Sequence, residues 1–237
     1  MASFLLKTSV INAYYRLAKP GIVYGNVLVA LGGFFYVSGE PVDWVRLVAM
    51  AIGLGLIIAS ACAANNYLDR DIDARMARTK DRPLVTGEIS LKNAKSFALV
   101  LGVLGTLTLG IGTNLLTTLM ALFGLLVYVG AYTPLKRRTR HALFVGAVAG
   151  AMPPVVGYTA VANTLDLTAL TLFAFLFVWQ IGHFIAIAIY CYDDYTAAGI
   201  PSFITRPPTP QTKKFAKHTF LLSLIILLAF TLYLTTP

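Results

Sequence analysis

Seven long runs almost free of charge divide this chain, and that pattern restricts it to one kind of architecture. The runs are 21–38, 46–67, 96–112, 115–134, 141–161, 167–191 and 217–235. Most approach or exceed the roughly 20 residues that a helix needs to cross a bilayer. They are too long and too continuously apolar for the alternating strands of a membrane barrel. Only 12% of the residues are charged, against about a quarter in a soluble domain. The sequence therefore predicts an all-α, polytopic helical membrane protein, with 1–237 forming a single membrane domain embedded in the lipid bilayer. Gly112-Thr113-Asn114 reads as a tight turn between the third and fourth spans.

Charge orients the spans. Eighteen of the 19 Lys and Arg fall in the N-terminal segment, in 68–95, in 135–140 and in 192–217, leaving Arg46 alone on the other side. The positive-inside rule then places the N-terminus in the cytoplasm and, after seven spans, the C-terminus outside. The net charge of +9 is read as topology and contact with anionic headgroups, so no nucleic-acid partner is expected. Residues 1–20 lack a leader-type apolar core and read as an interfacial helix. With no mitochondrial address either, a prokaryotic inner membrane is the expected location. Two cysteines, Cys62 and Cys191, are too few for a disulfide framework and have no metal-type spacing.

Orientation needs only basic residues, so the acidic ones call for another explanation. Seven of the ten lie in two cytoplasmic segments, 68–95 and 192–216, the expected active-site loops. If the second span continues as helix through residue 78, Asn65, Asn66, Asp69 and Asp73 fall within about 100° of one another. Asp71, Arg75 and Arg78 fall opposite, at spacings suited to ion pairs. Two carboxylates four residues apart can share a hard cation such as Mg²⁺, which is commonly completed by substrate phosphate oxygens. The plain alternative is a solvated helix end with local ion pairs.

A second cluster follows the sixth span. In a continuous helix over 179–195, Gln180, His183 and Asp194 share a face, with Asp193 about 100° away. His183 and Gln180 would then lie inside the membrane, where an ionisable side chain is costly and points to function. A base, a propionate partner and an iron ligand are open roles for His183. Asn26 is a further polar group near the start of the first span. Pro153-Pro154 would break the fifth span, a feature tolerated where a helix lines a cavity.

These segments resemble the UbiA superfamily of intramembrane prenyltransferases, and within it the branch that farnesylates heme. The resemblance rests on KPGIVYGN (19–26), NNYLDRDIDARMARTKDRPLVTGEIS (65–90), YTPLKRRT (132–139), GAMPPVVGYTA (150–160), WQIGHFIAIAI (179–189) and DDYTAAGIP (193–201). Asn66 stands at the second position of the superfamily's Asn-Asp-x-x-Asp-x-x-x-Asp motif, a form typical of the heme branch. The resemblance implies a ring of helices around a central cavity, with heme B and farnesyl diphosphate as substrates and Mg²⁺ as cofactor. It gives Asn66, Asp69, Asp73, Asp193 and Asp194 catalytic roles, the metal being held by Asn66, Asp69, Asp73 and Asp194. Arg75, Arg78, Lys80, Arg82, Lys136 and Arg137 would bind diphosphate, and His183, Gln180 and Asn26 would bind heme. Association with a downstream heme A synthase or with oxidase assembly is a further expectation.

The pattern also departs from the family. Ile181-Gly182 precede His183 where Met-Pro is more usual. Two family spans beyond the seventh are not represented, so the second half of the ring is expected to stand open. A prenyltransferase with a quinone, chlorophyll or lipid acceptor, and a transporter or non-catalytic heme-handling scaffold, are the competing readings.

Overall fold

The computed structural model describes residues 2–235. Among these, every regular element is helical. Helix α1 (Ala2–Ala18) precedes the first span, α2 (Pro20–Val37), and Lys19 joins them in a left-handed conformation with φ 53°. Then come α3 (Trp44–Asp73), α4 (Leu91–Gly112), α5 (Leu115–Leu126), a π-helical turn (Val127–Tyr132) and α6 (Thr133–Leu135). The chain ends in α7 (Ala142–Gly150), α8 (Met152–Ala162), α9 (Leu167–Tyr190), α10 (Tyr192–Ala198) and α11 (Pro210–Thr235). Seven membrane-length spans result, because α5 to α6 form one and α7 with α8 another. Most ends lie within a few residues of the expected bounds, but α3 runs six residues past its apolar run, and α4 and α11 begin five and seven residues before theirs.

Local chemistry sets several starts. Ser90 accepts from Asn93 N at 3.2 Å and Asn114 from Thr117 N at 2.8 Å, capping α4 and α5. Asp166 caps α9 by accepting from Thr168 N and Ala169 N. The Pro153-Pro154 pair divides the fifth span after Gly150, and the segment from Met152 to Ala160 is wholly buried.

Small residues let the helices approach, as bilayer packing requires. A Cβ on Gly157 would lie 1.8 Å from the Ala30 carbonyl oxygen, and one on Gly33 2.1 Å from that of Pro154. Helices α2 and α8 therefore meet backbone to backbone. Gly53 and Gly105 bring α3 and α4 together in the same way. Phe34, Leu54, Ile57, Leu109 and Val156 fill the core between these pairs.

Helix α11 packs against both α2 and α9, and α4 against both α3 and α5. The seven spans thus follow one another round a closed circuit, in contrast to the open ring expected from the sequence. The basic loops gather at one end, where Arg16 of α1 pairs with Glu88 and Arg137 with Asp71.

Candidate active site

Two cavities lie inside the ring, of about 540 Å³ at the basic end and about 530 Å³ deeper among the spans. Ile22, Tyr128, Tyr132, Phe184, Ile187 and Phe220 line both, so the two adjoin. The outer chamber is rimmed by charge. The inner one is walled mostly by aliphatic and aromatic side chains.

Helix α3 supplies the outer chamber's acidic wall. Asn65, Asp69 and Asp73 project into it at successive four-residue steps. Asp69 is 1% exposed and Asp73 2%. Buried carboxylates need partners, and both have them. Lys136 and Arg137 pair with Asp69, Arg82 pairs with Asp73, and Asn65 donates to Asp69 at 2.7 Å. Lys19 in turn donates to Asn65 Oδ1 at 2.8 Å. Burial, with the positive charges of Arg82 and Lys136 close by, pushes the Lys19 ammonium down to about 8.

The structure redistributes several expected site residues. Asn66 leaves the metal face: its Nδ2 donates to the Leu17 carbonyl at 3.0 Å, and its buried Oδ1 has no hydrogen-bond partner among the described residues. Packing against α1 decides this, and Asn65 takes the cavity position. Helix α3 stops at Asp73 rather than running through residue 78. Arg78 therefore leaves the Asp71 face and lines the chamber instead. Asp71 pairs with Arg75, as the spacing predicts, and also with Arg137. Of the six expected diphosphate residues, Arg78, Arg82 and Lys136 line the chamber, whereas Arg75, Lys80 and Arg137 do not.

Asp193 and Asp194 do not join the first pair. The sixth span ends at Tyr190 and Cys191 interrupts it, which breaks the helical phase assumed for 179–195. The Asp193 side chain is 78% exposed and pairs with Lys213. Asp194 accepts from Arg78 N at 3.4 Å and faces the Arg78 guanidinium at 3.8 Å. Neither carboxylate lines the chamber.

The three expected acceptor residues do meet. Asn26, Gln180 and His183 all line the inner chamber. Gln180 Oε1 is buried with no hydrogen-bond partner among the described residues. Residues missed by sequence reasoning include Lys19, Tyr128, Tyr132 and Lys217. The π-helical turn that presents Tyr128 and Tyr132 has no periodic signature, although such turns often mark functional sites. Lys19 did carry a signal, since it sits directly before Pro20 among the basic residues of one end.

A family model described as the UbiA prenyltransferase family matches residues 26–237. The chain belongs to that family. A relative from Marinomonas sp. (strain MWYL1) named Protoheme IX farnesyltransferase is 49% identical over 79% of this chain and 64% of its own length. Protoheme IX farnesyltransferase 2 of Pseudomonas fluorescens (strain Pf0-1) is 46% identical over 94% of this chain and 74% of its own. The chain thus spans about two thirds to three quarters of these relatives. A solved UbiA homolog from Archaeoglobus fulgidus bound to GPP and Mg²⁺ matches with a TM-score of 0.69 at 18% identity, covering 94% of this chain and 86% of that one. At that identity the likeness shows the fold alone. Within this UbiA-family fold, the paired chambers are the candidate active site.

The outer donor set fits Mg²⁺ held jointly with a diphosphate. Among the described residues no three His, Cys, Asp or Glu side chains could hold a metal together. Asp69 and Asp73 offer two carboxylates, the number Mg²⁺ commonly takes beside substrate phosphates. Lys19, Arg78, Arg82 and Lys136 surround the remaining space.

Proposed function

We propose that this chain transfers the farnesyl group of farnesyl diphosphate to a vinyl group of heme B, giving heme O. The observation that carries the reading is the adjacency of two unlike chambers. One holds buried carboxylates among lysine and arginine side chains, and the other is apolar with only Asn26, Gln180 and His183 as polar contacts from the expected set. The names of the two bacterial relatives supply the acceptor.

Diphosphate binds at the outer chamber. Lys19, Arg78, Arg82 and Lys136 meet its oxygens, with Asp194 holding Arg78 in place. Asp69 and Asp73 would hold Mg²⁺, which on binding neutralises charge that develops on the leaving diphosphate. Lys19, Arg78, Arg82 and Lys136 neutralise more of that charge as the C–O bond breaks. The allylic carbon left behind lies toward the shared aromatic wall of Tyr128, Tyr132 and Phe184. The vinyl π electrons form the new C–C bond to it. Water adds to the porphyrin-stabilised cation and loses a proton, leaving a hydroxyethylfarnesyl substituent and free diphosphate. The apolar inner chamber keeps water from the farnesyl cation until that bond has formed. Gln180 and Asn26 orient the acceptor.

In this reading the basic end faces the cytoplasm of a prokaryotic cell, across its inner membrane. Acceptor competition tests the reading against a quinone-type activity. Purified protein given farnesyl diphosphate, Mg²⁺ and equal amounts of heme B and 4-hydroxybenzoate should prenylate heme alone. Prenylation of the phenol would overturn it.

A further inference from the structure

His183 is held more rigidly than acceptor contact alone requires. Trp179 stacks on its ring with centroids 4.7 Å apart, and Phe220 lies 4.8 Å away. Trp179 Nε1 also donates to the Ser223 carbonyl at 3.0 Å, which ties α9 to α11. His183 Nδ1 lies 2.8 Å from Ser223 Oγ. That hydroxyl donates its single hydrogen to the Phe220 carbonyl at 2.6 Å. With its hydrogen committed, Ser223 Oγ can only accept from His183. With Ser223 donating to Phe220, Nδ1 is the atom that carries the ring hydrogen. Among the described residues no carboxylate pairs with the ring, and a charged imidazole in an apolar membrane chamber would be costly. A neutral ring in this arrangement is the Nδ1–H tautomer, whose Nε2 keeps its lone pair.

From this geometry we infer that His183 Nε2 is the axial ligand to the central metal of a metalloporphyrin acceptor in the inner chamber, with Ser223 as the positioning residue that fixes its tautomer. Metal-bound histidines characteristically donate their other ring N–H to a fixed acceptor, which sets orientation and raises ligand basicity. Imidazole is also a standard ligand for heme iron. The inner chamber offers a flat apolar group little other polar anchorage. Coordination would fix the porphyrin centre, so that rotation about one axis is what remains for Asn26 and Gln180 to settle. This inference rests on the proposed heme acceptor but not on farnesyl transfer taking place.

Full-length purified protein loaded with ferric heme B tests it by absorption and electron paramagnetic resonance spectra. Wild type should show a histidine-ligated iron. His183→Ala should lose that signature and regain it when imidazole is added. Ser223→Ala should keep the ligand but bind heme about 10–100-fold more weakly. Iron-free protoporphyrin IX should bind wild type more weakly than heme, and His183→Ala should erase that difference. Retained farnesyl diphosphate binding checks that the variants are folded. An unchanged His183→Ala spectrum overturns the ligation, and unchanged heme affinity in Ser223→Ala overturns the positioning role. Adduct formation, measured on the same samples, keeps the two readings apart. Adduct from wild type with a His183-independent spectrum sinks only the ligation. A His183-dependent spectrum with no adduct sinks only the transfer.

Discussion

Lys136 Nζ sits against the carboxylate of Asp69, although 67 positions separate the two residues and they lie on different spans. The pair joins the end of the fourth span to the second in the lining of the outer chamber. The Asp69 carboxylate is 1% exposed, and both Lys136 and Arg137 face it. The arriving diphosphate and its metal would exchange partners with this network: the metal takes the carboxylate, and the ammonium takes a phosphate oxygen. Cation and anion sites are thus stored as one neutralised cluster.

Asp69→Asn should lower farnesyl transfer about 10²–10³-fold, the usual scale for losing one charge-stabilising group. Asp71→Asn should cost less than about tenfold, because Asp71 is half exposed and serves only the outer pairs with Arg75 and Arg137. Initial rates of both variants, at matched membrane insertion, check this. Equal losses would contradict the facial division of α3.

Lys19 should make diphosphate binding pH-dependent. Its ammonium titrates at about 8 in the free protein, driven down by burial and by Arg82 and Lys136. It is charged below that pH and neutral above it. A bound diphosphate favours the charged form, so affinity should fall as pH rises through about 8, and binding just above it should take up a proton. Folding has the opposite sign. Because the folded pKa lies below the unfolded one, the cost of the buried charge is fully present below about pH 8 and lifts as pH rises toward the ordinary lysine range. Titration calorimetry in buffers of different ionisation heat should show the uptake in wild type and none in Lys19→Gln. Absence of uptake in wild type would contradict the assignment.

Gly150→Ala should separate the two chambers functionally. A Cβ there would lie 2.2 Å from Gln180 Nε2, so the amide must move. The expected result is a raised KM for heme B with unchanged affinity for farnesyl diphosphate. Steady-state kinetics with each substrate varied in turn would show it.

Gly157→Ala should be a stability variant. Its new methyl would fall 1.8 Å from the Ala30 carbonyl oxygen, where backbone rather than a flexible side chain must yield. Overpacking of this kind costs about 1–3 kcal/mol or more. Thermal denaturation in detergent should show a lowered midpoint even where both substrate sites are intact.

The spans were legible because bilayer burial demands long apolar runs, and nothing else in the sequence competes with that signal. The acidic face of α3 was legible down to Asp69 and Asp73, since helical phase is fixed by spacing. Asn65 and Asn66 were not separable, because both fall within the same arc and only contact with Leu17 turns Asn66 away. Asp193 and Asp194 were misplaced because the reading carried one helical phase across Cys191, where the chain breaks it. Lys136 and Lys19 reach the site through tertiary packing, which spacing along one helix cannot reveal.

The most direct measurement is mass analysis of heme extracted after the purified protein has been incubated with heme B, farnesyl diphosphate and Mg²⁺. The account predicts a hydroxyethylfarnesyl adduct from wild type that depends on Mg²⁺ and nearly disappears in Asp69→Asn. Unmodified heme from wild type, or equal adduct from both proteins, would contradict it.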